Sequence, residues 1–252
     1  MEPRKKFAKR TRQWQHIYTY PEEAVMRTVS ALCAALLLPC LAHGAEDKAF
    51  LSRCEAEMKP VLEVHAREAQ FDLTSSLSSR VLNNRVTYAT SSQLTLGMTS
   101  GTQRTEILLD APGLRDKAAR RDCISPRIYV DLAYQPLQVF VAREFHQQSC
   151  AYRTVYEHEM RHVQVYRDSL PALERRVREA LEQRYGKHPL YVGAGSGLDK
   201  LQDDVDNWLR PLIRAEVAAI ERQQVLLDTP EETERLSHAC LGEVGRAMGS
   251  SF

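Results

Sequence analysis

The steadiest periodic signal in the chain runs from Tyr152 to Tyr166. Tyr152, Val155, Tyr156, Glu159, Val163 and Tyr166 recur at the i, i+3, i+4, i+7 spacing of a buried helical stripe. Arg153, Glu157, Arg161, Gln164 and Asp168 fall on the opposite, solvated side, with His162 just inside the apolar edge and His158 on its flank. Beyond Asp168 the helical pattern resumes through Leu173, Val177, Leu181 and Tyr185, and Ser169-Leu170-Pro171 permits a kink or a restart. Asp199 to Leu227 is expected to be a long helix bent or restarted at Pro211, and Pro230 to Cys240 a short terminal one. Upstream, Lys48 to Met58 reads as a short helix ended before Pro60.

The strand signals lie between these helices. Ile128, Val130, Leu132 and Tyr134 share one face of an alternating run, Gln135-Pro136 turns the chain, and Leu137, Val139 and Val141 continue it, which predicts a hairpin leading into the Tyr152 helix. Val61 to Val64, Arg85 to Thr90, Gln93 to Met98 and Arg104 to Leu109 are also β-type, with a turn at Thr99-Ser100-Gly101. Asp72 to Asn84, Asp110 to Pro126 and Gly186 to Gly197 read as loops, the second carrying a solvated basic cluster of Arg115, Lys117, Arg120 and Arg121. Strands followed by helices predict an α+β fold.

Composition changes the picture at the N-terminus. Of 252 residues, 43% are apolar and 27% charged, ordinary for a globular chain, with a net charge of +1. Setting aside the seven basic and three acidic residues before Glu46 leaves 27 basic against 30 acidic, a net of −3, which is no nucleic-acid footprint. Met26 to Ala45 reads as a secretory signal, with Arg27 as its positive start, Val29 to Leu38 as its apolar run and Ala42-His43-Gly44 as its small-residue site. It is too short to span a membrane. Residues 1–25 are expected to be no part of the native protein, translation starting at Met26. The mature chain, 46–252, is expected to be one domain, mainly β over 46–145 and mainly α over 146–252, in the periplasm or secreted. Its cysteines are then Cys54, Cys123, Cys150 and Cys240, an even set that predicts two disulfides in any of three connectivities.

The helical stripe contains His158-Glu159-Met160-Arg161-His162. Imidazoles four residues apart stand about 40° apart around a helix, so both can face one metal ion, with the intervening glutamate beside the water such an ion activates. A buried Glu-His group left unpaired costs roughly 2 to 7 kcal/mol, so a partner or a metal is required. A zinc enzyme takes a third protein ligand and keeps one position open. Glu216 is the first candidate, because Leu209, Leu212, Ile213, Ala219 and Ile220 set it within the apolar stripe of the last long helix; a salt bridge to an arginine such as Arg214 or Arg210 is the competing role. Asp168, Asp206 and Glu221 are further candidates, Asp168 being expected on the surface. His146, His188 and His238 are single histidines that could touch substrate, and Tyr156, Tyr166 or His238 could face a developing oxyanion.

On these residues the chain resembles the zincin metallopeptidases, the gluzincin branch in particular. That resemblance implies a zincin-like fold, with a small antiparallel sheet packed on the motif helix and a helical C-terminal half. It implies Zn²⁺ held by His158, His162 and Glu216, with Glu159 as the catalytic base. The order of exported signal, β-hairpin, Cys150, motif, then Leu227-Asp228-Thr229-Pro230-Glu231-Glu232 before Cys240 is also similar to uncharacterised secreted bacterial families described as zinc proteases. The expectation is an exported zinc-dependent peptidase acting on peptides or proteins, with no nucleic-acid partner and no membrane span once the signal is cleaved. The alternative is a non-catalytic zinc-binding or envelope interaction protein with the same fold.

Overall fold

Ile128, Val130, Leu132 and Tyr134 are all buried, as their alternation requires, and they form the inner face of the central strand of the molecule. The computed structural model describes residues 38–85 and 95–249. Contacts divide the chain into Met1–Lys48 and Ala49–Phe252, and the fold below is that of the second unit. The proposed leader and signal lie outside the described residues except for the backbone of Leu38–Ala45, the start of helix α1 (Leu38–Glu57).

Six strands make a bent ribbon of two mixed, three-stranded sheets that meet at a corner. Strand β1 (Val61–Arg67) runs parallel to β7 (Arg127–Tyr134), and β2 (Phe71–Thr74) parallel to β8 (Leu137–Val141). The offset is 66 in both pairs (127 − 61 and 137 − 71), so the register carries through the corner. On the other side β3 (Gly97–Ser100) is antiparallel to β8 and β4 (Gln103–Asp110) antiparallel to β7. The corner is Gln135-Pro136, both exposed. Proline has no N–H to give to a ladder, and Leu137 N–H to Gln70 O (2.8 Å) and Gln135 N–H to Thr102 O (2.9 Å) bridge the break. The predicted hairpin is therefore corrected. β7 and β8 follow one another along a single line and pair with other strands, and the expected antiparallel sheet is a mixed one. Thr99 and Ser100 belong to β3, with the turn after them; of the expected strands Arg85–Thr90 and Gln93–Met98, residues 86–94 lie outside the described residues.

Three expected loops contain short elements. β2 and α2 (Ser79–Asn83) occupy part of Asp72–Asn84, and β9 (Leu190–Gly193) part of Gly186–Gly197. In Asp110–Pro126, β5 (Gly113–Asp116) and β6 (Arg121–Ile124) form a hairpin joined by β9. The basic cluster is what obscured it: Arg115 stands opposite Asp122, and Arg121 opposite Asp116. These charges pair across strands. Arg115 donates twice to Asp122, at 2.7 and 2.8 Å, and Gly195 N–H adds a third bond at 2.6 Å.

Helix α3 (Cys150–Tyr185) packs its apolar stripe on the ribbon. Ser149 caps it by accepting from Tyr152 N–H at 3.0 Å. It continues unbroken through Pro171, with Leu170, Leu173, Val177 and Leu181 all buried on either side, packing that offsets the lost backbone bond. Helix α4 (Gly197–Asp204) continues through a π-turn (Val205–Leu209) into α5 (Arg210–Val225), with Pro211 just after the π-turn, where the backbone bonding pattern changes. Helix α6 (Pro230–Gly249) is broken at Ala239–Gly242. Cys240 (φ 58°) and Leu241 (φ 56°) there are left-handed, which costs roughly 1 to 2 kcal/mol per residue for side chains of this kind.

The cysteines pair as Cys54–Cys123 and Cys150–Cys240, with Cα separations of 6.1 and 5.7 Å. Two disulfides fit an oxidising compartment outside the cytoplasm. Among the described residues no helix is long and apolar enough to cross a membrane.

Hydrogen bonds from Arg115 and from Gly195 hold the Asp122 carboxyl down to about 2, below the unfolded value near 3.9. A depressed carboxyl stabilises fully above its unfolded value and loses that contribution as pH falls through its folded one. The β5–β6–β9 sheet should therefore weaken between about pH 4 and pH 2. In thermal melts across that window the native chain should lose stability more steeply than Asp122→Asn; parallel curves would refute this assignment.

Candidate metal centre

Burial and helical phase bring the motif together. His158, Glu159 and His162 are 7%, 4% and 6% exposed. The two rings meet edge to face, with centroids 5.0 Å apart and planes inclined at 73°. A third group meets them from the turn between α5 and α6. Asp228 Oδ1 lies 3.0 Å from His158 Nε2 and 3.1 Å from His162 Nε2, and the two Nε2 atoms are 3.3 Å apart. Ligands of a tetrahedral ion at about 2.0 to 2.2 Å stand roughly 3.3 to 3.6 Å from one another. The triangle is close to one face of such a tetrahedron, and His158, His162 and Asp228 could hold a metal ion.

The turn that carries Asp228 is built by local chemistry. Thr229 caps α6 by accepting from Glu232 N–H at 3.2 Å, and Pro230 occupies the first helical position. Leu227 N–H and Asp228 N–H close the end of α5 on Gln224 O and Val225 O.

Each imidazole is oriented from behind. Buried Gln224 donates to the His162 carbonyl at 3.3 Å and presents Oε1 to His162 Nδ1 at 2.8 Å. That acceptor takes the hydrogen bond of a protonated Nδ1, so Nε2 is the nitrogen that donates to Asp228 or, once deprotonated, offers its lone pair to a metal. Glu232 Oε1 stands 3.0 Å from His158 Nδ1 and imposes the same tautomer. Arg161 Nη2 also lies 2.6 Å from that nitrogen while donating to Glu232. Of the two neighbours, the carboxylate is the one a protonated Nδ1 can serve. Arg235 fixes Glu232 further with two bonds of 2.7 Å.

Glu159 points toward the sheet side. Its Oε2 accepts from Thr99 Oγ1 at 2.8 Å. A Cβ on Gly97 would stand 2.3 Å from Oε1 and 2.7 Å from Val155 Cγ1, so only glycine leaves room there. Burial pushes the Glu159 carboxyl up, against the opposing pull of His162 and His158. Burial also acts to raise Asp228, but hydrogen bonds from His158 and His162 outweigh it and hold that carboxyl well below the usual range. Bonds from Arg235 first, then Arg161 and His158, overcome burial to bring Glu232 down to about 2. Burial opposes the charged form of His162, yet its bond to Asp228 and the nearby Glu159 raise it overall. A cluster that draws a proton between imidazole and carboxylate is one from which a divalent cation displaces that proton.

Glu216 is not part of this group, which corrects the expected third ligand. Its carboxylate sits 2.5 Å from Arg176 of α3, an ion pair as its competing role had it, but across helices rather than with Arg214 or Arg210. Asp168 is exposed and accepts from Gln164, Asp206 is exposed beside Arg210, and Glu221 accepts the Tyr166 hydroxyl at 3.2 Å. His146, His188 and His238 are exposed. Tyr166 is thus engaged by Glu221, and Tyr156 stacks on Tyr152 with centroids 6.4 Å apart. Sequence reasoning missed Asp228, Gln224 and Glu232. A signal existed: Thr229-Pro230-Glu231-Glu232 spells a capped helix start, and an acidic residue immediately before it sits at a sharp, well-defined turn.

No family model matches the chain, and neither a curated protein nor a solved structure matches it.

Titration with a divalent cation against a chromophoric chelator should give one site per chain. Asp228→Ala should abolish tight binding, Gln224→Ala and Glu232→Ala should weaken it roughly 10- to 100-fold, and Glu216→Ala should leave it unchanged. Loss of binding on removing Glu216 with retention on removing Asp228 would reverse the assignment.

Proposed function

We propose that the chain is an exported zinc-dependent hydrolase of peptide bonds, with His158, His162 and Asp228 as metal ligands and Glu159 as proton acceptor. The observation that carries this reading is the triangle of ligand atoms at 3.0 to 3.3 Å with a buried carboxylate on the residue next to one of them. Two imidazoles and one carboxylate are donors that suit zinc.

Bound there, zinc would supply a Lewis acid for the scissile carbonyl and lower the pKa of the adjacent water toward about 7. Glu159 does the proton work. Thr99 Oγ1–H anchors Oε2, so Oε1, in the space Gly97 leaves, takes the proton of the attacking water and passes it to the departing amine. Gln224 and Glu232 keep both rings in the tautomer that offers Nε2.

The substrate reading draws on β3. Among the described residues β3 is an edge strand, paired with β8 on one side, and its Gly97 and Thr99 both touch Glu159. An extended peptide that pairs with the open edge of β3 would lie beside the proton acceptor. A purely structural zinc site is closed by four protein ligands. Here three side chains converge among the described residues, and the Asp228 side chain is 58% exposed, which favours the hydrolase over a non-catalytic binding protein.

Protein purified without added metal should carry one zinc per chain by elemental analysis and should cleave a mixed peptide library until a chelator is added. Glu159→Gln should keep the zinc and lose about 10² to 10⁴ in rate. Gly97→Ala, which drives a methyl group against Oε1, should also lose rate at unchanged zinc content. Undiminished cleavage by Glu159→Gln would remove that residue from the chemistry.

A further inference from the structure

The two disulfides sit in different settings. Cys54 and Cys123 are both fully buried, whereas Cys150 is exposed and Cys240 half-buried. Cys150 is the first residue of α3, eight before His158, and Glu232 of α6 is eight before Cys240. Along α3 eight helical residues span about 12 Å, and α6 is helical from Glu232 to His238 before its break. The two helices therefore meet at matched rungs: the disulfide at one end, the contact of Glu232 with His158 at the other, and Thr154 Oγ1 3.3 Å from Cys240 Sγ next to the disulfide. Asp228 lies just beyond the second rung. Cys240 and Leu241 are held in left-handed backbone and Leu241 is 96% exposed; Arg246 Nη1 donates to Leu241 O across the break at 2.9 Å, and the crosslink, with the Thr154 contact beside it, ties the break to α3.

We propose that Cys150–Cys240 is a redox latch on the metal centre: a dithiol reductant opens it, releases α6 from α3 and weakens cation binding by withdrawing Glu232 and Asp228. The proposal rests on reading His158, His162 and Asp228 as a metal cage. In the opening step a thiolate of the reductant attacks Sγ of exposed Cys150 and forms a mixed disulfide, and Cys240 leaves as a thiolate that takes up a proton. The second thiol of the reductant then closes on the first, which frees Cys150 as a thiol. Two electrons and two protons pass from the dithiol to the protein, and the reductant becomes a disulfide. Cys54–Cys123 is shielded from attack and stays closed.

The test uses the full chain in two states, oxidised and briefly reduced by a dithiol under native conditions, with freed thiols then blocked by iodoacetamide and the reductant removed. Peptide mapping should place the label on Cys150 and Cys240 and not on Cys54 or Cys123. Zn²⁺ titrated against a chromophoric chelator should bind the reduced form roughly 10- to 100-fold more weakly, and amide exchange over 228–240 should quicken while that of α3 beyond His162 holds. A Cys150→Ala/Cys240→Ala variant should bind Zn²⁺ as weakly as the reduced form. Equal affinity in the oxidised and reduced forms, or labelling of Cys54 and Cys123 first, would overturn the latch and leave the cage intact. Absence of stoichiometric Zn²⁺ from the oxidised form would overturn the cage, and the latch with it.

Discussion

Two imidazoles and a carboxylate turned inward from one helix set the terms for everything around them. Leaving such groups dry and unpaired costs several kcal/mol, roughly 2 to 7 each on transfer scales, so the fold has to bring partners to them. It does so from four elements. The α5 helix contributes Gln224, the turn after it contributes Asp228 and α6 contributes Glu232, while the sheet sends Thr99 to Glu159. The helical half of the chain can be understood as a frame that delivers hydrogen-bond partners to one face of α3.

How much of that was legible depended on range. His158, Glu159 and His162 could be placed on an inward face because the period of a helix is a local property, and the same stripe assigned Arg153, Glu157, Arg161, Gln164 and Asp168 to solvent, where all five are exposed. The third acidic group could not be found this way. Asp228 precedes a helix and belongs to no stripe, and its position is set by how α5, α6 and α3 pack. Glu216 drew attention because it interrupts an apolar stripe, yet a long arginine from the neighbouring helix satisfies it at the rim of the core. An interrupted stripe locates a carboxylate that needs a partner. It does not name the partner.

The sheet shows the same division. Alternation in Ile128–Tyr134 and Leu137–Val141 identified two strands and their inner faces, because burial on one side is written in every second residue. Pairing is a relation between distant segments, and two consecutive strands separated by Gln-Pro suggested a hairpin where the chain instead bends and continues. Four-residue strands such as β5, β6 and β9 are too short to carry a period, and their charges looked solvated because the ion pairs that neutralise them cross between strands.

The constant offset between β1–β2 and β7–β8 has a kinetic corollary. A parallel pair cannot zip from a tight turn, so the central ribbon must wait for segments sixty-six positions apart to find each other, against the entropy of closing the intervening loop. Helical contacts between α3 and α5 span less distance along their connecting chain and form on faster timescales. In assembly, then, the slow step belongs to the β half, and the cysteine pair that joins α1 to β6 fastens that half once its strands have met.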